Sequence, residues 1–150
     1  MALPIALHVL AAVLWVGGMF FAYQCLRPVA GMQLEPPARL SLWAGVLGRF
    51  FPWVWASVIV LLVTGFWLIG VMGGMGVVRV HVHIMMTVGI VMMLIFAHVF
   101  FAPFRRLRKA VADEDWPAGG KALNQIRILV ATNTVLGLLT IVVAAAGRYV

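Results

Sequence analysis

A chain of 150 residues that is 65% hydrophobic and only 10% charged carries too little polar surface to wrap a water-soluble core, which excludes a soluble globular domain. The formal net charge of +7 tracks the connections between apolar runs, so it reports membrane topology and leaves nucleic acid out as a partner. With a single cysteine, Cys25, there is neither an internal disulfide nor a thiolate cluster, and metal chemistry has to rest on His and Met.

Four segments are apolar over the roughly 20 residues that a membrane span requires: about 4–26, 50–72, 79–102 and 124–146. They predict an all-α protein, an integral membrane four-helix bundle in one domain over residues 1–150, with the lipid bilayer as its first partner. The first segment lacks a basic leader and a small-x-small cleavage site, so it is read as a retained helix rather than a signal peptide. Pro4 suits its first turn, and the helix is expected to end before Pro28. Residues 28–42 then form a connection with Pro36-Pro37 and a short interfacial helix from Ala38, and Trp43, Trp53 and Trp55 read as interfacial anchors. The glycines of "VMGGMG" close the second helix in a hairpin that leads to Arg79. The third helix stops at Pro103, "FRRLRKAVADEDWPAGGK" reads as a polar loop, and the fourth runs from about Asn124 to Gly147.

Nine basic residues fall in or beside the connections after the first and third helices, against Arg79 and Arg148 on the opposite side. The positive-inside rule therefore places both termini outside the cytoplasm of a bacterial-type inner (plasma) membrane.

Intramembrane ionisable groups mark function by default, which singles out the histidines. His8 lies one turn inside the first helix, and His81 and His83 lie in the first turns of the third, all within about 10 Å of the external boundary. Neighbouring positions two apart differ by about 200° around a helix, so His81 and His83 face opposite ways and only one of them can meet His8. His98 lies about 22 Å deeper than His83, too far to ligate the same centre, and reads as a packing residue or part of a quinone or proton site. From His8 a stripe of Ala11, Trp15, Gly18, Ala22 and Cys25 offers a groove for a neighbouring backbone or a flat macrocycle, or else plain helix packing. Met86 supplies a polarisable sulfur below His83. Arg79 and Arg148 suit carboxylates of a bound group or lipid headgroups. Asn133, Gly137 and Thr140 make a polar and small face suited to an interhelical contact.

The segments "LHVLAAVLWVGGMFFAYQCLRP", "RVHVHIMM" and "LNQIRILVATNTVLGLLTIVVAAAGR" resemble the superfamily of CopD-type and HemJ-type membrane proteins. The resemblance implies a four-helix bundle that holds haem b through the first-helix histidine and a residue of the third-helix motif. HemJ-type members oxidise protoporphyrinogen and CopD-type members are linked to copper. Here His8 matches the first-helix position, His81 the first position of the second motif, and His83 the place of a lysine, a departure that argues against porphyrinogen chemistry. The reading that follows is a haem b redox protein with His8 and His83 as ligands and His81 in reserve. Its role would be electron transfer or oxidation of a small reductant such as a quinol or porphyrinogen, with a redox partner or a second copy beside it. The alternative is copper binding or transport by His8, His81, His83 and the Met85-Met86 pair.

Overall fold

The computed structural model describes residues 1–147 and Tyr149, and every regular element among them is helical. Helix α1 (Ala2–Phe21) continues through a π turn (Ala22–Leu26) into α2 (Arg27–Gln33). Then come α3 (Pro36–Val71), α4 (Val80–Phe101), α5 (Pro103–Ala112) and α6 (Trp116–Ala146). Four stretches, Ala2–Gln33, Pro36–Val71, Val80–Ala112 and Trp116–Ala146, are long and apolar enough to cross a membrane. The expected all-α, four-span architecture is the one observed.

Its boundaries differ from the hydropathy reading, for local reasons. Pro28 does not end the first helix. A proline ring crowds the carbonyl four residues back and gives it no N–H, but the π turn immediately before it opens the ladder and lets the helix run on. Pro36 opens α3 from an extended Glu35, so that helix starts well ahead of residue 50. The polar loop is largely helix: Phe104, Leu107 and Ala110 bury one face of α5 while Arg105, Arg106, Arg108 and Lys109 stay exposed. That spacing is amphipathic and seats α5 against α3 and α6. Asp115 caps α6 by accepting from the Ala118 N–H at 3.1 Å, which moves its start back to Trp116.

Two helices close with the same pair of turn bonds. At the end of α3, Gly74 N–H reaches Ile69 O at 2.9 Å and Gly73 N–H reaches Gly70 O at 3.2 Å, with Gly73 at φ 102°. At the end of α5, Asp115 N–H reaches Ala110 O at 2.9 Å and Glu114 N–H reaches Val111 O at 3.3 Å, with Glu114 at φ 55°. This closure needs a left-handed residue, which glycine adopts freely and glutamate at a cost.

Helix α1 packs along α3 and touches α6, α4 packs along α6, and the backbones of α3 and α4 stay apart, joined by aromatic side chains. Helices α1, α4 and α6 converge at Gly137, where a Cβ would fall 2.7 Å from Val16 Cγ2 and 3.1 Å from Met92 Cε. Asn133, one turn away, donates from Nδ2 to the Met92 carbonyl at 3.0 Å. Small residues and a side-chain bond to a facing carbonyl are what hold helices together where lipid supplies no hydrophobic contrast. An aromatic cluster ties α1, α3, α4 and α5 together: Phe51 meets Phe104 at 4.7 Å and Phe96 at 5.3 Å, and Phe96 meets Trp55 at 5.0 Å and Trp15 at 6.1 Å. Trp43 is buried and Trp55 is packed in this cluster, so of the three tryptophans read as anchors only Trp53 faces outward. Positions 43, 47, 51, 54 and 58 form the inward stripe of α3, and that periodicity overrides the preference of tryptophan for the interface.

Candidate functional site

The bundle has a terminal end, where α1 begins and α6 finishes, and a loop end, where α2 and α5 lie. His8 stands half-buried at the terminal end, with Nδ1 2.7 Å from Thr64 Oγ1 on α3. The Thr64 hydroxyl lies 2.6 Å from the Val60 carbonyl of its own helix and donates its one proton there. It therefore accepts from His8, which fixes the Nδ1–H tautomer and leaves the Nε2 lone pair open. A ring nitrogen held this way, with the other nitrogen free, is the arrangement that metal-binding histidines use. Gly65 lies beside the ring, where a Cβ would make an ordinary contact with His8 Cε1 at 3.5 Å. The sequence reading passed over Thr64. The signal was a polar residue followed by glycine inside the apolar run "LLVTGFW".

His81 and His83 are both half-buried and occupy different sides of α4. His81 lies against the end of α6, where a Cβ on Gly147 would come within 2.6 Å of its Cβ and Cγ. The His83 carbonyl accepts from Thr87 Oγ1 at 2.9 Å. Among the described residues no three His, Cys, Asp or Glu side chains gather closely enough to hold a metal ion by themselves. Met86 is half-buried on α4, Arg79 is exposed as the residue preceding that helix, and Arg148 lies outside the described residues. His98 is exposed on the far part of α4.

The stripe along α1 is filled at Gly18, while its Trp15 and Ala22 border a cavity. The Phe50 ring occupies the space over Gly18, and Trp15 is buried against Phe96. This cavity, of about 720 Å³, opens at the loop end. Trp15, Trp43, Phe50, Phe51 and Phe96 wall it, Arg27, Arg39 and Arg127 stand at its mouth, and Asn133 also lines it. No histidine and no carboxylate lines it. The one ion pair among the described residues joins Lys109 to Asp113, elsewhere on the surface, so these three arginines meet no carboxylate there.

Four apolar spans in an all-helical chain define the class of this protein, a multi-pass membrane bundle. Within that class, the family model for copper resistance protein D matches residues 44–146, and the chain belongs to that family. The match takes in α4 and α6 and most of α3, and starts beyond His8. Comparison with curated proteins and with solved structures returned no match.

Proposed function

We propose that this chain binds Cu(I), as cargo or as a buffered ion, at its terminal end, with His8 Nε2 as the anchoring ligand. The observation that carries this reading is the hydrogen bond from His8 Nδ1 to Thr64, which leaves the second nitrogen unprotonated and aimed by a fixed partner. The partners in this reading are His83 or His81 and the thioethers of Met85 and Met86, which lie in the first turns of α4. Imidazole and thioether suit Cu(I), which is content with few ligands, so a preformed trio of acidic or histidine groups is not required. Family membership supports copper over haem. Arg79 and Arg148 serve as headgroup anchors, and the basic connections keep the loop end in the cytoplasm and both termini outside.

The other reading is haem b held by His8 and His83, serving electron transfer or oxidation of a quinol or porphyrinogen. The large cavity does not favour it, since no histidine lines that cavity. Titration of the detergent-purified protein with Cu(I) against a chromogenic chelator separates the two. Stoichiometric binding lost in His8→Ala, with no Soret band after haem supplementation, is the expected result. A Soret band that His8→Ala removes, together with no retention of Cu(I), would overturn it.

A further inference from the structure

One of the residues that line the loop-end cavity carries an unusual polar atom. Asn133 is only 3% exposed, and its Oδ1 has no hydrogen-bond partner. The amide cannot be turned over to hide it, because Nδ2 donates to the Met92 carbonyl and a flipped oxygen would face that carbonyl oxygen. The bare atom is therefore an acceptor awaiting a donor, and buried polar atoms of this kind are rare enough to call for one. At the mouth stand Arg27, Arg39 and Arg127, with no acidic side chain in the lining. Arg27 is also held over the Tyr23 ring at 4.9 Å. Arg127 and Asn133 are six residues apart on α6, which separates the two polar ends by about 9 Å of helix rise.

From this juxtaposition we propose that the cavity binds a small amphiphilic acid. Its carboxylate or phosphate meets the arginine forks, a flat apolar body lies among the aromatic rings, and a hydroxyl or N–H at its far end donates to Asn133 Oδ1. The cavity of about 720 Å³ falls in the range, roughly 300–1,000 Å³, that drug-sized ligands occupy. A metal cation is disfavoured by the three positive charges. A phospholipid would place its headgroup on the arginines, but its acyl chains carry no donor for Asn133. Guanidinium groups recognise planar oxyanions in pairs of hydrogen bonds, and the donor requirement at the other end supplies the selectivity. This site is separate from the histidine layer and does not depend on the copper reading.

The test uses the full chain in nanodiscs of zwitterionic lipid and a rigid probe, a hydroxynaphthoate with hydroxyl and carboxylate at opposite ends of the ring system. Tryptophan fluorescence reads the binding, since Trp15, Trp43 and Trp116 line the cavity. The expected result is saturable quenching, at least tenfold tighter than for the naphthoate without the hydroxyl and for the naphthol without the carboxylate. Arg39→Gln and Arg127→Gln should each weaken the probe about tenfold. Asn133→Leu should level the hydroxylated and plain acids; should that variant not fold, the comparison of the two acids on the unaltered chain decides alone. Equal affinity for both acids, absence of saturation, or complete displacement by anionic phospholipid in the nanodisc would each overturn the proposal, the last by assigning the site to a lipid headgroup.

Discussion

At the terminal end, His8 hands its Nδ1 proton to Thr64, and Thr64 hands its own to the Val60 carbonyl, so the chain of donors closes on the backbone of α3. At the loop end, Asn133 gives its amide to the Met92 carbonyl, is left with a bare buried oxygen, and is among the residues that line a cavity. Both side chains sit in apolar surroundings and both bridge two helices. They differ in what remains: a nitrogen lone pair near the surface in one case, a buried acceptor beneath a positive rim in the other. A bundle this small thus leaves an open imidazole nitrogen at one end and an arginine-lined cavity at the other.

Stability and binding should separate along this divide. Phe51→Ala, in the aromatic cluster of the loop end, should cost about 3 kcal/mol, the lower part of the range for buried phenylalanine because lipid already solvates apolar surface. Unfolding in mixed micelles measures it, and retained Cu(I) affinity in the folded fraction would show that the two ends are independent. Conversely, His8→Ala should weaken Cu(I) about 100-fold while shifting unfolding by no more than about 1 kcal/mol, the net worth of one hydrogen bond. Equal losses in both measurements would mean that the histidine serves packing. Thr64→Val keeps the shape and removes the oxygen; chelator competition should show a loss of about tenfold in Cu(I) affinity, the usual scale for an outer partner of a metal-binding histidine. An unchanged affinity would say that the tautomer is set by something other than this bond. The smallest effect lies outside both sites: Glu114→Gly relieves a left-handed glutamate and should raise the melting temperature by about 2–4 °C for a gain near 1 kcal/mol.

The number of spans, their all-helical character and the small-polar face at Asn133 and Gly137 were legible because they depend on run length and residue size, which a sequence displays directly. The extents of the helices were not. Pro28 read as a stop, yet a π turn carries the helix through it; Pro36 read as part of a connection and opens α3; Pro103 does end α4 but also opens α5, distinctions set by backbone hydrogen bonding on either side of the ring. Trp43 and Trp55 show the same limit, since tryptophan suits both an interface and a core and only the stripe along α3 decides. For the candidate site, depth along a helix could be counted, which is why His8, His81 and His83 stood out together. Azimuth could be counted only within one helix. That His8 turns toward Thr64, and that three arginines from three helices share one mouth, follow from how the helices are rotated against one another, and no local pattern encodes that rotation.

The π turn at Ala22–Leu26 sets part of that rotation. It amounts to one residue more than an α-helix needs, so everything after it is phased by about 100° relative to a plain continuation. Removing a single residue from this turn would leave the composition of the chain nearly intact and yet swing Arg27 away from the cavity mouth. Gene lengths, as well as substitutions, can therefore retune this protein: an indel in a stretch of five residues acts as a vernier on where positive charge meets the membrane surface.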